Sequence, residues 1–463
     1  MDLEQIHNVY FVGIGGIGMS ALARYFHSLN KNVAGYDRTE TALTKELVSE
    51  GIAIHYTDDI QDIPEAFRNK GTTLVVFTPA IPADHSELNG FRAEGFEIKK
   101  RAEVLGIISH SKDVLGIAGT HGKTTTSTMV AHLLKNSHLD CNAFLGGIAL
   151  NYSNNLLLSE HSNYVVVEAD EYDRSFLQLS PKAAIVTSMD ADHLDIYGTY
   201  DEYRKAFEQF LAQIKPGGFA VIKKDIGIDE SIHIPGGVKA YTYSLHGPAD
   251  FYAQNITIKN GYYHYDVVTP QVTIKDIRLG FPGLLNVENS IAAIAMAWLL
   301  NVSKTSICKA LGNFHGVKRR FEYHIKSENL VFIDDYGHHP EELRYTIESV
   351  KAMFPGKKVT GIFQPHLYSR TKDLADEFAQ SLSLLDELIL LDIYPAREKP
   401  IPGVNSEMVL NKVTIANKHL CLKKDLTAFV ENMKTPEVLI TMGAGDIDTF
   451  VEPIKQILLR KAE

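Results

Sequence analysis

The sequence is poor in cysteine, has no long apolar run and carries an excess of acidic side chains. Its three cysteines, Cys141, Cys308 and Cys421, form no CxxC pair and no metal-binding spacing, as expected for a reducing cytosol. The longest apolar run, Ile291 to Leu300, is shorter than the roughly 20 residues that a membrane-spanning helix needs. The formal net charge of −11 argues against a general nucleic-acid binder. With a polar, acidic start unlike a secretory signal, the sequence predicts a cytoplasmic protein without a membrane or nucleic-acid partner.

The composition is that of an ordinary folded protein, and the length of 463 residues corresponds to about three domains. Strands and helices alternate along the chain, which indicates an α/β fold with largely parallel sheets. Three apolar strands, beginning near Val9, Val114 and Val438, each lead into a glycine-rich turn and a helix. We take these as landmarks of three domains, with predicted spans 1–107, 108–316 and 317–463. Residues 245–280 alternate polar and apolar side chains, which predicts an antiparallel strand insertion.

The first glycine-rich turn has the spacing of a dinucleotide-binding loop. Gly13, Gly15 and Gly18 follow a strand and open a helix, and Asp37 follows the next strand. Such a turn brings a diphosphate to the helix N-terminus, where N–H groups and the helix dipole favour anions. The motif specifies a diphosphate pocket and leaves open a nicotinamide dehydrogenase, a UDP-sugar site or a turn that serves packing alone.

The second glycine-rich turn is the strongest motif in the chain. It reads Gly119-Thr120-His121-Gly122-Lys123-Thr124-Thr125. In a loop of this kind the lysine reaches the β- and γ-phosphates, the following hydroxyl binds Mg²⁺ and backbone N–H groups surround the phosphates. The common P-loop pattern would place glycine at position 117, where this chain has Ile117. A glycine turn with a solvated lysine is the alternative interpretation.

Acidic side chains follow the strand that ends near Val167. A carboxylate there, Glu168 first, lies where a second Mg²⁺ ligand is expected beside a phosphate loop. Asp170, Glu171 and Asp173 could instead belong to an acidic loop without a metal role. His193, at the end of a neighbouring predicted strand, could bind a divalent ion or orient a carboxylate substrate.

Polar side chains also end two strands of the third predicted domain. Tyr336 and His338 follow one strand, and His366 and Arg370 follow the other. This combination suggests a pocket that recognises a carboxylate, with the Arg370 guanidinium as a bidentate hydrogen-bond donor. Each segment alone could be a hydrogen-bonded loop. Asn289, in the first turn of a predicted helix, could simply serve as a cap.

Taken in order, these segments resemble the Mur ligases. The resemblance runs from residue 9 to about residue 447 and is carried by the two glycine loops, Glu168-Ala-Asp-Glu171, Asp192-His193, Asn286-x-x-Asn289, Arg319-Arg320-Phe321-Glu322, Asp335-Tyr-Gly-His-His-Pro340, Gln364-Pro-His366 and Gly443-Ala-Gly-Asp446. The Gly-Thr-His-Gly-Lys-Thr and Asp-Tyr-Gly-His-His-Pro strings together are specific to one branch of the family.

The resemblance implies a Rossmann-like N-terminal domain for a UDP-sugar, a central ATP-binding domain and a Rossmann-like C-terminal domain. It implies an ATP- and Mg²⁺-dependent ligase that joins an amino acid to the sugar carboxylate through an acyl phosphate. The family pattern leans toward adding a single L-alanine to UDP-N-acetylmuramate. For the UDP-sugar it implies Gly13, Gly15, Gly16, Gly18 and Asp37, and for ATP it implies Gly119 to Thr125, Asn289, Arg320 and Asp335. The implied metal ligands are Thr124, Glu168 and His193, and the implied amino-acid residues are Tyr336, His338, His366 and Arg370. The implied catalytic residues are Lys123, Glu168, His193 and His338.

The chain departs from the family pattern at a few positions. Leu367 stands where arginine is frequent, so the resemblance does not support a two-arginine clamp on the amino acid. Ala206-Phe207-Glu208 contains no lysine for the carbamylated metal ligand of sister enzymes, and Tyr172 replaces a commoner serine. Other acceptors remain open, namely a murein tripeptide ligase or a folylpolyglutamate synthase-like enzyme. So do a nicotinamide oxidoreductase and a non-catalytic P-loop module. The resemblance leaves the protein as a monomer or a homodimer.

Overall fold

The computed structural model describes residues 5–190, 194–227, 236–396 and 398–462. By the density of its internal contacts the chain forms two compact units. The first comprises Met1–Gln254, Asp266–Lys275 and Asn289–Leu311, and the second comprises Asn255–Tyr265, Asp276–Glu288 and Gly312–Glu463. Across the described residues the strands assemble into three sheets.

The N-terminal sheet has five parallel strands in the order β3-β2-β1-β4-β5. Its elements are β1 Asn8–Val12, α1 Ile17–Ser28, β2 Asn32–Tyr36, α2 Ala42–Ser49, β3 Ala53–His55, β4 Thr73–Phe77, α3 Ser86–Glu94, β5 Glu97–Lys100 and α4 Arg101–His110. Short 3₁₀ turns span Ile60–Asp62 and Glu65–Phe67.

The central strand β1 is buried on both faces. Val9 and Phe11 pack in one hydrophobic cluster, while Tyr10 and Val12 pack in another on the opposite face. This follows from the two-residue period of a strand and from its continuous apolar sequence, which is typical of a parallel sheet covered by helices on both sides. The glycine-rich turn at Gly13 therefore lies at the carboxyl edge of the sheet.

The central sheet has ten strands in the order β15-β14-β13-β12-β11-β10-β6-β9-β7-β8. Its elements are β6 Asp113–Ala118, α5 Lys123–Lys135, β7 Asn142–Ala149, β8 Asn154–Leu157, β9 Tyr164–Glu168, β10 Pro181–Val186, α6 Leu194–Tyr197, α7 Tyr200–Ala212, β11 Phe219–Lys223, β12 Lys239–Ser244, β13 Phe251–Lys259, β14 Tyr262–Val268, β15 Thr273–Leu279, α8 Leu284–Leu299 and α9 Lys304–Gly312, with a 3₁₀ segment at Tyr172–Gln178. Strand β6 pairs in parallel with β9 and β10, so the second glycine-rich turn lies between two neighbouring strand ends.

The strand insertion predicted for residues 245–280 is present as β13, β14 and β15. Asn260 and Gly261 alone connect β13 to β14, and both have positive φ, at 53° and 74°. Two residues in this conformation are the favoured link of a β-hairpin, because their twist matches that of the flanking strands.

The C-terminal sheet has six strands in the order β16-β17-β21-β18-β19-β20, and β16 is the antiparallel one. Its elements are β16 Glu322–Lys326, β17 Val331–Asp335, α10 Pro340–Met353, β18 Val359–Phe363, α11 Tyr368–Asp373, α12 Ala375–Leu382, β19 Glu387–Leu391, α13 Ser406–Lys412, β20 Lys418–Cys421, α14 Leu426–Asn432, β21 Val438–Met442 and α15 Val451–Ala462, with 3₁₀ turns at Lys423–Asp425 and Asp446–Phe450.

The predicted α/β architecture with three sheets is confirmed, whereas the domain limits at 108 and 317 stay predictions. One local difference concerns the last helix, which we expected to start directly after the turn at Gly443. A 3₁₀ turn comes first and α15 begins at Val451. Pro453 explains this, because proline fits the first turn of a helix but would clash with a helical carbonyl four residues earlier. No helix in the described part of the chain is long and apolar enough to cross a membrane.

Candidate active site

The first glycine loop is held in shape by the residues around it. Gly13 has φ +90°, and a Cβ there would lie 2.8 Å from the Thr78 methyl group. The N–H of Gly15 donates to the Asp37 carboxylate at 2.7 Å, and the N–H of Thr39 donates to the other Asp37 oxygen at 3.2 Å. Asp37 thus fixes the loop from the neighbouring strand, and Gly16 caps α1 without a side chain. The predicted UDP-sugar residues come together at one sheet edge.

The second glycine loop requires glycine at both of its turning points. Gly119 has φ +135°, and a Cβ there would lie 2.1 Å from the Thr187 hydroxyl and 2.8 Å from the Ser188 nitrogen. Gly122 has φ +79° and begins α5 in the left-handed region. A Cβ on Gly122 would lie 2.7 Å from the side-chain oxygen of Asn289, so this predicted ATP residue does contact the loop.

The end of strand β10 braces this loop. Thr187 donates its hydroxyl to the carbonyl of His121 at 2.5 Å, and the N–H of His121 donates to the Ser188 hydroxyl at 2.8 Å. Thr120 hydrogen-bonds the hydroxyl of Tyr203 at 2.9 Å. Thr124 and Thr125, both buried, occupy the first turn of α5. The first N–H groups of a helix have no partner within the helix, and this suits them to bind phosphate.

Lys123 forms a buried ion pair with Glu171. Its ammonium group lies 2.8 Å from the Glu171 carboxylate and also donates to the carbonyl of Gly119 at 2.6 Å. Burial alone would lower the pKa of Lys123, but nearby carboxylates, Glu171 foremost, raise it. Burial raises the pKa of Glu171 to about 7 against the opposing effect of Lys123. The lysine is therefore held as a cation at the point where the loop would meet a phosphate.

Glu168 ends β9 directly beside β6, the strand that leads into the loop. It is the register partner of Ile117, and the next residue donates its N–H to the Ile117 carbonyl at 2.8 Å. Among the described residues no three histidine, cysteine or acidic side chains form a metal-binding group. His193, the remaining predicted ligand, lies outside the described residues. Carboxylate and hydroxyl oxygens from Glu168 and Thr124 still suit Mg²⁺, which commonly takes one or two protein ligands with water and phosphate.

A cavity of about 270 Å³ extends from the first glycine loop to the end of β9 within the first compact unit. Gly16 and Gly18 of the first glycine loop line one side, and Glu168 and Asp170 line another. Arg101, the first residue of α4, also lines it. A ligand bound at the first glycine loop could therefore extend toward the acidic end of β9.

Gly146→Ala is expected to disturb this cavity without changing any charge. A Cβ at position 146 would lie 2.1 Å from one Glu168 carboxylate oxygen, so the carboxylate has to move. A misplacement of about 1 Å at a reacting centre can lower the rate about 10²-fold. We predict a fall in turnover of that order with nearly unchanged nucleotide affinity, measured by phosphate release and by equilibrium binding of ATP. Gly236→Ala is the control, because an added Cβ there would meet nothing within 4 Å, and equal losses from both changes would contradict the prediction.

The second compact unit places the remaining predicted residues at the carboxyl edge of its own sheet. Asp335, the last residue of β17, accepts the N–H of Phe321 at 2.8 Å and that of Gly337 at 2.7 Å. Burial raises the pKa of Asp335 to about 6, partly offset by Arg320. This predicted nucleotide contact therefore also anchors the backbone residues that directly follow Arg320 and Tyr336.

Aromatic and cationic groups form a continuous row at this edge. The Tyr336 ring lies under the guanidinium groups of Arg319 and Arg320, at 5.2 and 4.9 Å from its centroid. The Tyr336 and His338 rings pack edge to face with their centroids 5.4 Å apart, and the His338 and His366 rings do so with centroids 5.9 Å apart. The row continues with Tyr394, whose ring stacks on His366 with the centroids 5.7 Å apart. Arg370 lies on α11, and its positive charge helps to lower the pKa of His338. All four residues predicted for the amino-acid end therefore belong to this unit.

His338 is held neutral. Burial lowers its pKa to about 4, and Arg370 and Arg320 act in the same direction, while Glu342 opposes them. Its Nδ1 lies 3.2 Å from the Tyr336 carbonyl, which can only accept, so Nδ1 carries the proton. Nε2 is then left with its lone pair and can accept a hydrogen bond from a ligand.

His338→Gln is expected to reduce the loss of stability on acidification. Because the folded pKa of about 4 lies below the usual 6.5, the unfolded chain takes up this proton first, and stability falls as pH drops from about 6.5 to 4. Asp335 has the opposite sign, since its raised pKa stabilises the fold as pH falls below about 6. The two proteins must therefore be compared by urea unfolding at pH 7 and 5. We expect the free energy of unfolding of the wild type to fall more steeply on acidification than that of His338→Gln, by at most about 1.4 kcal/mol per pH unit. The same pH dependence of unfolding in both proteins would contradict the prediction.

Sequence reasoning missed the partners that lie far away along the chain. Thr187, Ser188 and Tyr203 support the second loop, and nothing local marks them as part of it. Glu171 was left undecided between a metal role and a plain acidic loop, yet it is the ion-pair partner of Lys123. The alternation of strands and helices indicates which strand ends share an edge, but it does not indicate which side chains pair across it.

Comparison with known proteins gives consistent results along the whole chain. Models described as "Mur ligase family, catalytic domain", "Mur ligase middle domain" and "Mur ligase, glutamate ligase domain" match residues 8–113, 117–297 and 319–445. The UDP-N-acetylmuramate–L-alanine ligase of Parabacteroides distasonis is 56% identical over 461 residues, which is 100% of this chain and 99% of that protein. The enzyme of the same name from Phocaeicola vulgatus is 50% identical over 100% of both chains.

Solved structures agree with this comparison. A crystal structure of UDP-N-acetylmuramate–alanine ligase from Thermotoga maritima has a TM-score of 0.81 at 28% identity, covering 98% of this chain and 99% of its own. A murein peptide ligase from Psychrobacter arcticus, at 23% identity and a TM-score of 0.70, covers 98% of both chains and shares the fold. Three family models in consecutive order and a full-length relative at 56% identity establish that the chain belongs to the Mur ligase family.

Proposed function

We propose that the protein joins L-alanine to the carboxylate of UDP-N-acetylmuramate, using ATP. The products are UDP-N-acetylmuramoyl-L-alanine, ADP and phosphate, and the reaction belongs to peptidoglycan precursor synthesis. The observation that carries the proposal is the cavity that extends from Gly16 and Gly18 to Glu168. An acceptor bound at the first glycine loop and extending through this cavity would lie beside Glu168, at the end of the strand next to β6, which leads into the second glycine loop. The full-length relatives named for this reaction support the same assignment.

The chemical problem is that a carboxylate is a poor electrophile. In the proposed reaction a carboxylate oxygen of the sugar attacks the γ-phosphorus of ATP, and the bond to the β-phosphate oxygen breaks to release ADP. The amine of L-alanine then attacks the acyl carbon through a tetrahedral intermediate. Phosphate leaves with the former carboxylate oxygen, and the ammonium group of alanine loses two of its three protons overall, keeping one as the amide N–H.

The second glycine loop would bind the ATP phosphates. The Lys123 ammonium group now contacts the Glu171 carboxylate and the Gly119 carbonyl. When ATP binds, it would exchange these contacts for contacts with phosphate oxygens. Catalysis of phosphoryl transfer depends mostly on positioning and electrostatic stabilisation, which fixed donors supply. Asn289 lies at the turn of Gly122. The family pattern implies Arg320 and Asp335 as further nucleotide contacts.

Thr124, Glu168 and His193 are the proposed Mg²⁺ ligands. When bound, Mg²⁺ neutralises charge on the phosphate oxygens and orients them for transfer. The oxygen donors at the loop and at the end of β9 fit such an ion, and Gly146 leaves the Glu168 carboxylate the space it occupies.

The amino-acid end would be formed by Tyr336, His338, His366 and Arg370. The guanidinium of Arg370 suits the alanine carboxylate, because it can donate two parallel hydrogen bonds. Neutral His338 offers the Nε2 lone pair as a hydrogen-bond acceptor that orients the alanine amino group. With a pKa of about 4 it is too weak a base to hold the ammonium proton, which passes to solvent before the free amine attacks. A cytoplasmic location and a monomeric or homodimeric state remain predictions.

Phosphate release by the purified protein tests the proposal. The protein receives ATP, Mg²⁺ and UDP-N-acetylmuramate, and L-alanine, glycine, L-serine and the murein tripeptide are supplied separately. We expect turnover with L-alanine and a product heavier by one alanyl residue in the mass spectrum. Turnover with the tripeptide alone would replace the amino-acid substrate, and no turnover with any of them from protein that binds ATP would refute the proposal.

A further inference from the structure

Arg101 lines the cavity that extends from the first glycine loop to the end of β9. Of the described residues that line this cavity it is the only cationic one, while Glu168 and Asp170 are acidic. Its guanidinium lies against Gly18, where a Cβ would come within 2.5 Å of Nη1. The other nitrogen, Nη2, lies 3.1 Å from the Asp170 carboxylate. Arg101 therefore bridges the first glycine loop and the acidic end of β9.

An acceptor that extends through this cavity brings two kinds of negative charge. Its diphosphate is served by the N-terminus of α1 and by the loop N–H groups. Its carboxylate has to approach Glu168 and Asp170, which would repel it. A cation is needed to hold a carboxylate there, and a planar guanidinium matches a carboxylate with two parallel hydrogen bonds.

We propose that Arg101 binds the carboxylate of the acceptor sugar and positions it for phosphorylation. This inference rests on the proposed function, and it assigns one residue to the reacting group of that substrate. In the free protein Asp170 takes the place of the substrate carboxylate, so binding exchanges one carboxylate partner for another. Gly18 leaves room for Arg101, because any side chain at position 18 would occupy the position of the guanidinium group.

The two anionic groups of the substrate can be separated with a pair of ligands. UDP-N-acetylglucosamine carries the diphosphate and the sugar without the carboxylate, whereas UDP-N-acetylmuramate carries all three. Equilibrium binding of both is measured by calorimetry in EDTA, without nucleotide, for the wild type, Arg101→Ala and Arg101→Lys. Hydrogen bonds to charged groups correspond to about 10-fold to 100-fold in affinity. Because Asp170 competes for Arg101, we expect the alanine variant to lose about 10-fold for UDP-N-acetylmuramate and little for UDP-N-acetylglucosamine.

Two controls make the result specific. Binding of UDP-N-acetylglucosamine requires the same folded domain, so its retention excludes misfolding of the variant. Lys70→Ala removes an exposed cation from the same domain, close before β4 at the opposite edge of the sheet, and should change neither affinity. Arg101→Lys, which keeps the charge and loses the two-pronged geometry, should fall between the wild type and the alanine variant.

The other outcomes each overturn the proposal. Equal losses for both sugars would assign Arg101 to the diphosphate, and unchanged affinity for both would leave it a structural partner of Asp170. Wild-type protein that binds neither sugar would refute the proposed function itself, and this inference with it. That result is distinguishable, because it appears before any substitution is made.

Discussion

Replacing Lys123 by methionine is expected to lower the rate of phosphate release by at least about 10²–10³-fold, the usual cost of losing a donor that stabilises developing charge. The same change should also destabilise the protein. Glu171 is almost completely buried, with 1% of its side chain exposed, and would lose the cation 2.8 Å away. Breaking a buried ion pair by removing one partner commonly costs about 3–5 kcal/mol, because the remaining carboxyl group is buried without its cation and must either keep its charge or take up a proton.

A double variant separates the two effects of Lys123. In Lys123→Met/Glu171→Gln no charge is left unpaired, so we expect the free energy of unfolding to recover much of its loss while turnover stays low. Lys135→Met is the matched control, because Lys135 lies in the same helix and pairs with Asp140 near the surface. Surface pairs contribute about 0–1 kcal/mol. Recovery of turnover in the double variant would contradict a direct role of Lys123 at the phosphates.

Gly119→Ala is expected to disrupt ATP binding more than any other single methyl addition to the loop. The new Cβ would overlap the Thr187 hydroxyl and come within 2.8 Å of the Ser188 backbone nitrogen, which cannot move aside as a flexible side chain would. A non-glycine residue at φ +135° adds backbone strain of about 1–3 kcal/mol. We predict at least a 10-fold weaker affinity for ATP, with 1.4 kcal/mol corresponding to each factor of about 10.

Gly217→Ala provides the comparison for strain without overlap. Gly217 also has positive φ, at 78°, but nothing lies within 4 Å of the Cβ that would be added. This variant should lose some stability and keep its affinity for ATP. Equal ATP affinities in the two variants, measured by calorimetry, would contradict the account in which Thr187 and Ser188 brace the loop.

The sequence was sufficient for the architecture because strand periodicity and glycine spacing are local properties. The continuous apolar run of β1 predicts burial on both faces, and Val9 and Tyr10 do pack on opposite sides. The turns at Gly13 and Gly119 could be located for the same reason, since a positive φ favours glycine whatever the surroundings.

The site's partners could not be predicted in the same way because they depend on tertiary contacts. Arg101 lies against Gly18, which is 83 positions away in the chain, and only the packing of α4 brings the two residues together. Burial is equally invisible in a sequence: His338 is a common histidine in the string Asp335 to Pro340, yet its pKa is lowered to about 4 by the surroundings that the fold creates. Residue roles at the metal and the amino acid remain predictions.

The most direct test of the account follows the oxygen atoms of the acceptor. UDP-N-acetylmuramate labelled with ¹⁸O in both carboxylate oxygens is incubated with the protein, ATP, Mg²⁺ and L-alanine, and the released phosphate is analysed by mass spectrometry. Attack of the carboxylate on the γ-phosphorus predicts one ¹⁸O atom in each phosphate and one in the new amide. Phosphate that carries no ¹⁸O, released together with the alanylated product, would contradict the acyl phosphate and with it the central claim.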